Sequence, residues 1–214
     1  MKKPRKLVWT VAALGLCVSA TAGAQELQPT PTVVGSLGET STLRLGVSLA
    51  PMPGGKLKVA SGSASADSDL AFAFGLAPVL DYSINQFLFV GLAPQYIFNV
   101  KGKDSTGSAG SELDLRVRVG GNAKVADTLM LYGYLAPGYS ILMQPDSDKP
   151  NGADNPKGFV LAFAAGAMLD FTPTFFGTGE LGYQVGYQKT TFAGTDIDVK
   201  TNFFHIGIGV GYRL

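Results

Sequence analysis

Six ionisable side chains stand out in this sequence because each sits in a run of alternating apolar residues. In the stretch ELDLRVRVGGN, for example, charged residues alternate strictly with Leu and Val. Charges in such surroundings must be paired or hydrated, because burying one alone costs several kcal/mol. We therefore predict an internal network of ion pairs with Arg44, Arg118 and Glu180 at its centre. The full set of candidate residues is Arg44, Asp114, Arg116, Arg118, Glu180 and His205.

Catalytic and metal chemistry find little support among these residues. The chain has one histidine, His205, and one cysteine, and a lone histidine among glycines more often packs or hydrogen-bonds than it catalyses. The acidic stretch MQPDSDKPNGADNPK carries Asp146, Asp148 and Asp154 but lacks the Gly and Glu spacing of a calcium loop. The sequence therefore predicts no metal site, no cofactor and no enzyme.

The elements that must position these charges are β-strands. Apolar residues recur at every second position, which is the period of a strand with two different faces. Most of these segments are longer than the ~5–6 residues usual in soluble proteins. Taken alone, the sixth segment is also compatible with a helix. The eight predicted strands are 42–50, 70–82, 87–100, 112–122, 129–141, 159–171, 175–188 and 203–214.

The connections between these strands alternate in length. Long polar stretches follow the first, third, fifth and seventh strands, whereas tight turns such as SINQ, KVADT and TPT follow the second, fourth and sixth. Long loops at one end and short periplasmic turns at the other are typical of outer-membrane β-barrels. An even strand number then leaves both chain ends on the periplasmic side.

The polarity of the two strand faces agrees with a membrane barrel. One face is a band of Leu, Val, Ile, Phe and Tyr, and the other is Gly, Ala and Ser with a few charges. A soluble lipocalin-like barrel, the alternative, would need these faces reversed. The lumen of an eight-stranded barrel is only wide enough to be filled by side chains, so the alternating glycines of FFHIGIGVGYRL are expected to face it. We predict an all-β fold, an eight-stranded antiparallel up-and-down transmembrane β-barrel.

The N-terminus predicts export. MKKPRK is followed by a short apolar run and by TAGAQE, which is the pattern of a signal peptide, residues 1–24, cut before Gln25. A retained anchor is disfavoured because the run is shorter than the ~20 residues that span a bilayer, and lipidation at Cys17 is disfavoured by Leu16 in front of it. The remaining domains are a periplasmic segment, 25–41, and the barrel, 42–214. Loss of four cations leaves an acidic chain, which predicts no nucleic-acid partner.

From about Thr42 onward, this pattern resembles the small eight-stranded outer-membrane barrels of Gram-negative bacteria, the OmpA/OmpX-like proteins. The most specific match is the final strand, which ends in Tyr212-Arg213-Leu214 and is similar to that family's terminal assembly signal. That signal usually closes on an aromatic residue, whereas this chain closes on Leu214. The resemblance implies a place in the cell outer membrane, contact with outer-membrane lipid and lipopolysaccharide, and recognition of the last strand by the barrel-assembly machinery.

Aromatic residues are predicted to form two girdles, one at each membrane interface. A bulge is predicted at Pro94, because proline within a closed sheet cannot donate a ladder hydrogen bond. The periplasmic girdle is expected to contain Tyr82, Phe87, Phe175 and Tyr212, and the outer girdle Phe98, Tyr139, Phe159, Tyr187 and Phe204.

Three functional classes fit this reading. The first is a structural, envelope-stabilising barrel whose lumen is plugged by the charge network. The second is an adhesin-like surface-binding barrel that acts through its extracellular loops on an unknown ligand, and the third is a narrow channel gated by re-pairing of one arginine. Some barrels that this chain resembles deacylate or palmitoylate lipid A, but they need a Ser and a His near the membrane surface. His205 is predicted to point inward with no such serine on its face.

Overall fold

The computed structural model of the 214-residue chain describes residues 42–145, 154–192 and 194–214, and these residues build a single β-sheet. The predicted signal peptide and periplasmic segment lie outside the described residues. No helix in the described part is long and apolar enough to cross a membrane. The strands are β1 (Leu43–Met52), β2 (Gly54–Ser61), β3 (Ala64–Leu70), β4 (Ala73–Ser83), β5 (Leu88–Leu92), β6 (Gln95–Val100), β7 (Gly110–Ala126), β8 (Leu129–Met143), β9 (Lys157–Asp170), β10 (Phe175–Phe192) and β11 (Thr195–Arg213).

The sheet closes on itself. Every pairing is antiparallel, and β1 pairs with β4 on one side and with β11 on the other, from Arg44↔Arg213 to Leu49↔Ile208. In three places, two consecutive segments lie end to end and form one strand of the barrel wall: β1 with β2, β3 with β4, and β5 with β6. Eleven segments therefore form eight wall strands, and the predicted eight-stranded up-and-down barrel is confirmed.

The two ends of the barrel differ. At the turn end, short connections of 84–87, 127–128 and 171–174 join the strands, and both the first and the last strand meet there. At the loop end lie the connections 101–109 and 144–156, part of which, including Asp146 and Asp148, is outside the described residues. Two hairpins also reach this end, and their turns contain Gly62 and Gly194 with φ of 58° and 79°. Positive φ in a tight turn favours glycine.

Two of the predicted long loops are in fact strands. Residues 52–69 form most of the β2–β3 hairpin, in which Ser61 pairs with Ala64. Residues 189–200 extend β10 and β11 as far as the pair Phe192↔Thr195. These segments do alternate, as in Lys56-Leu57-Lys58-Val59 and Asp196-Ile197-Asp198-Val199. Their polar residues lie on the outer face, which is apolar nearer the turn end, whereas Leu57, Ile197 and Val199 pack in the lumen. The apolar outer face on which the strand prediction rested is therefore absent there.

The two faces of the wall follow the predicted alternation over most of the chain. On the terminal strand, Ile208 and Val210 are 62% and 59% exposed on the outer wall, whereas His205 on the lumen face is 2% exposed. All nine predicted girdle aromatics are exposed. Leu70 and Val100, which the alternation places outside, are instead buried in the lumen. The parity changes near them, at the break between β3 and β4 and at Asn99, which has a φ of 62°.

The bulge predicted at Pro94 is wrong. Pro94 falls between β5 and β6 and interrupts the ladder, but the register with β7 is the same on both sides, Leu92↔Val117 and Gln95↔Asp114. The register shift lies further on, between Phe98 and Val100. Proline therefore removes hydrogen bonds here without adding a residue to the strand.

Candidate functional site

The lumen holds all six predicted residues. Arg44 comes from β1, Asp114, Arg116 and Arg118 from β7, Glu180 from β10 and His205 from β11. Five of them are at most 6% exposed, and the side chain of Glu180 is 12% exposed. Period-two alternation explains this placement, because these residues share the face opposite to the lipid-facing Leu, Val and Ile side chains.

The turn-end half of the lumen contains a cavity that is partly open to solvent, which we call the chamber. Glu180 is the best-bonded charge in its wall. It accepts hydrogen bonds from the hydroxyls of Tyr132 and Tyr134, both at 2.9 Å, and its Oε1 lies 3.7 Å from Nε2 of His205. A carboxylate held by two hydroxyls and an imidazole is a fixed negative charge in the chamber wall.

Arg118 pairs with Asp81 and not with Glu180. Its Nη1 lies 3.4 Å from Oδ2 of Asp81, and its guanidinium lies 4.0 Å from the ring centroid of Tyr134. Asp81 and Arg118 occupy one row of the sheet with Gly91 between them. Because a Cβ at Gly91 would collide with Oδ1 of Asp81, the glycine leaves the gap across which the pair forms.

Arg44 is the chamber cation that forms no ion pair with a described carboxylate. It lies opposite Asp81 in the β1–β4 register, stacks 5.2 Å from the ring of Phe89, and donates weakly to Sδ of Met168. Its Nε and Nη2 are buried without a hydrogen-bond partner. The structure thus brings Arg44, Arg118 and Glu180 to one chamber, but the ion pair in it runs to Asp81, which the sequence analysis did not include in the network.

The loop-end half of the lumen contains what we call the polar layer. Arg116 donates from Nη1 to Gln184 at 3.0 Å, and Gln184 donates in turn to Asp114 at 2.6 Å. Further along, Gln188 and Ser140 both donate to Oε1 of Glu112, at 3.2 and 2.9 Å. Amide and hydroxyl groups therefore link most of the charges in this region. The polar layer consists of Glu112, Asp114, Arg116, Ser140, Gln184, Gln188 and Thr201.

An apolar cluster shares the loop-end half with the polar layer. Its largest members, Phe203, Met52 and Ile97, have no exposed surface. Leu70 and Val100 belong to it, so the two residues whose predicted orientation is wrong are the ones that complete this packing. We call the polar layer and the apolar cluster together the packed half of the lumen. The cluster consists of Ala50, Met52, Leu70, Ala73, Ile97, Val100, Leu142, Val199 and Phe203.

The glycines of the last strand make room for side chains of β10. Gly207 lies opposite Glu180 and Gly211 lies opposite Phe176. A Cβ at either position would collide with those side chains, at Cγ of Glu180 and in the ring of Phe176. Gly207 and Gly211 therefore leave the space that the side chains of Glu180 and Phe176 occupy in the chamber wall.

Several buried polar atoms in the chamber have no protein partner. They include Nε of Arg118, Oδ1 of Asp81 and Nδ1 of His205, beside the two atoms of Arg44. Buried polar groups are normally satisfied by protein or by ordered water, so the chamber is suited to hold water. No group of three or more potential metal-ligating side chains occurs among the described residues.

Sequence reasoning missed several residues of the lumen. Glu112 has the same parity as Asp114, and Gln188 has the same parity as Gln184, so the alternation could have found both. The alternation alone places Asp81 and Asp170 on the lumen face near the ends of their strands, and so near the rim of the barrel. Asp170 does lie at the turn end, where it accepts from Arg213 at 2.6 and 2.9 Å, but Asp81 lines the chamber and is 6% exposed.

The closed sheet, the apolar outer wall with its two aromatic girdles and the polar lumen define a transmembrane β-barrel. A family model described as "Outer membrane protein beta-barrel domain" matches residues 10–213. The chain belongs to this family and is an outer-membrane protein. No curated protein matches the chain.

Solved structures support the same fold. OprG from Pseudomonas aeruginosa is 15% identical, with a TM-score of 0.55, over 81% of this chain and 95% of that one. Neisserial surface protein A is 13% identical, with a TM-score of 0.51, over 78% and 96% of the two chains. The outer membrane protein AlkL is 12% identical, with a TM-score of 0.51, over 92% and 96%. Sequence identities this low support a shared fold and nothing further.

Proposed function

We propose that the protein is a closed barrel that stabilises the outer membrane and does not conduct ions in its resting state. The observation that carries this proposal is the filling of the packed half. Gln184, Glu112 and Phe203 come from three different strands, and all three are buried in the lumen with no exposed surface. A lumen of eight strands is just wide enough for such filling.

Linked polar groups stabilise the closed state. Moving Gln184, for example, would break its hydrogen bonds with both Arg116 and Asp114. Leaving a buried charge without its partner costs several kcal/mol. The carboxylates and guanidinium groups of the polar layer therefore resist rearrangement. The barrel wall around them is held in one shape, and its apolar outer face stays in contact with the lipid.

A gated channel is a second candidate function, and Arg44 is the observation that favours it. Asp81 is bonded to Arg118 but lies opposite Arg44, which has free donors. Exchange of Asp81 between these two arginines would move Arg118 in the chamber wall. For a water path to form, the packed half must also open.

Current recording in planar bilayers tests both functions. The chain starting at Gln25 is refolded, reconstituted, and recorded beside the Arg118→Ala variant, with insertion checked by protease protection. A silent wild type and a silent variant are expected. Discrete current steps in the wild type would contradict the closed barrel, and steps that appear or change only in Arg118→Ala would favour the gate.

A further inference from the structure

Arg44 differs from the other arginines of the barrel in what its guanidinium group contacts. Arg213 donates to both oxygens of Asp170, at 2.9 and 2.6 Å, and Arg118 forms the ion pair with Asp81. Nε and Nη2 of Arg44 are buried and have no hydrogen-bond partner among the described residues. The arginines of the predicted mature chain are Arg44, Arg116, Arg118 and Arg213.

The two free donors of Arg44 lie on one edge of its guanidinium group. Nε–H and one N–H of Nη2 point the same way, at a spacing that matches the two oxygens of a carboxylate. The third nitrogen, Nη1, contacts Sδ of Met168 at 3.9 Å. A buried charge without a partner costs several kcal/mol, so an acceptor that fills this edge would stabilise the chamber.

The side chains next to Arg44 are apolar or aromatic. Besides Met168, the ring of Phe89 lies 5.2 Å from its guanidinium carbon, and both side chains belong to a buried apolar cluster that includes Phe176. Apolar walls with a few polar groups are typical of small-molecule sites. Because an eight-stranded lumen is narrow, the site suits a carboxylate on a short apolar body.

The other charges of the chamber favour a ligand with a single negative charge. Asp81 and Glu180 line the chamber beside Arg44. Asp81 is bonded to Arg118, and Glu180 is held by the hydroxyls of two tyrosines. These carboxylates repel a doubly charged anion such as sulfate more strongly than a monocarboxylate.

A ligand can reach Arg44 from the periplasmic side. Arg44 is the second residue of β1, whose first residue lies at the turn end. The strands close the wall around the chamber, and the packed half fills the lumen beyond it. The open side of the chamber is therefore the turn end, which faces the periplasm in outer-membrane barrels.

We propose that the chamber binds a small monocarboxylate from the periplasm, with Arg44 as its anchor. The two carboxylate oxygens accept hydrogen bonds from Nε and Nη2 of Arg44, and the apolar body packs against Phe89 and Met168. The proposal goes beyond the closed barrel and does not depend on whether the lumen conducts, because the ligand enters and leaves on one side of the packed half.

The first test is NMR spectroscopy of the chain from Gln25, labelled with 15N-arginine and refolded in detergent micelles. Each arginine gives one Nε–H cross-peak, and the spectrum of Arg44→Lys assigns the cross-peak of Arg44. Propionate is the probe. Propionamide, which has the same shape without the charge, and sodium chloride are titrated in separate samples.

The second test compares variants through the carboxyl 13C line width of labelled propionate. Arg44→Lys keeps the positive charge but loses the two-pronged edge. Arg213→Lys is the matched control, since Asp170 already occupies the edge of that arginine. Heat modifiability on gels shows that each variant is folded, and Arg44→Gln replaces Arg44→Lys if the lysine variant does not fold.

We expect propionate to shift the Arg44 cross-peak saturably, and we expect propionamide and chloride to leave it in place. Arg44→Lys is expected to bind propionate on the order of 10-fold more weakly, because an ammonium group cannot form two parallel hydrogen bonds. Arg213→Lys is expected to bind it as wild type does.

An Arg44 cross-peak that propionate does not move would overturn the proposal. An equal shift with propionamide would show that the chamber does not select a charge, and an equal shift with chloride would show that it does not select a carboxylate. Undiminished binding by the Arg44 variant, or an equal loss in Arg213→Lys, would also rule out Arg44 as the anchor.

Discussion

The chamber and the packed half fill the same lumen in different ways. In the chamber, cations and carboxylates line a cavity that is partly open to solvent, and several of their atoms lack a protein partner. In the packed half, Phe203, Met52, Gln184 and Glu112 have no exposed surface. The chamber is therefore the looser region, and the tightly packed polar and apolar side chains of the packed half close the lumen.

This difference predicts that stability depends most on the packed half. Replacing Phe203 by Ala leaves a cavity that its neighbours on other strands cannot refill, and such changes cost about 3–5 kcal/mol. The free energy of unfolding, measured by urea titration in lipid vesicles, is expected to fall by that amount. Phe204→Ala is the matched control. Its loss is expected to be smaller because lipid fills the space on the outer wall; an equal loss would remove the distinction between the two regions.

Removal of the chamber's ion pair is expected to have a smaller effect. Asp81→Asn takes the charged partner from Arg118, and a hydrogen bond to a charged group is worth about 1.5–3 kcal/mol. Water in the chamber limits the loss to the lower part of that range. The double variant Asp81→Asn, Arg118→Gln measures the coupling between the two residues. Additive losses in this cycle would show that the pair does not form in the folded barrel.

Crowding of the chamber wall tests the role of the terminal glycines. In Gly207→Ala the new methyl group collides with Glu180, and overpacking of this kind costs about 1–3 kcal/mol. Gly179→Ala is the control on the neighbouring strand, because a Cβ there meets no atom within 4 Å. We expect the free energy of unfolding in urea to fall for Gly207→Ala and to stay unchanged for Gly179→Ala. Equal stability of both would mean that Glu180 is not held against β11.

The smallest expected effect concerns one hydrogen bond of Glu180. Tyr134→Phe removes one donor to the Glu180 carboxylate, at 2.9 Å. Because Tyr132 and His205 still hold that carboxylate, the expected cost is about 1 kcal/mol, below the usual value for a hydrogen bond to a charged group. Tyr183→Phe, on the outer wall beside Phe163, should change the free energy of unfolding much less. A reversed order would indicate that the chamber contributes less to stability than the lipid-facing wall.

Much of the fold could be predicted from alternation alone. The strand ELDLRVRVGGN separates its lumen and lipid faces so cleanly that Asp114, Arg116 and Arg118 are assigned to the lumen without a structure. The hairpin extensions could not be found in this way. Beyond the bilayer the outer face no longer has to be apolar, so in Lys56-Leu57-Lys58-Val59 the lysines lie outside and the apolar residues lie on the lumen side, which reverses the pattern by which the other strands were found.

The pairing of charges inside the lumen was the harder problem. Which carboxylate Arg118 reaches depends on the register of three neighbouring strands, in which Gly91 separates it from Asp81. One residue of slip would change every such neighbour. The apolar cluster was missed for a related reason: local irregularities near Leu70 and Val100 reverse the parity on which the orientation of each side chain was predicted.

Solvent access to single cysteines tests the closed lumen most directly. The predicted mature chain has no cysteine, so Ser48→Cys in the chamber and Ser140→Cys in the polar layer each introduce one thiol. The refolded barrel is exposed on both sides to a small, charged thiol reagent, and urea-unfolded samples give the reference rates. We predict that Cys at position 48 reacts in the folded barrel and that Cys at position 140 does not. Reaction at position 140 at a rate close to that at position 48 would contradict a lumen closed by its packed half.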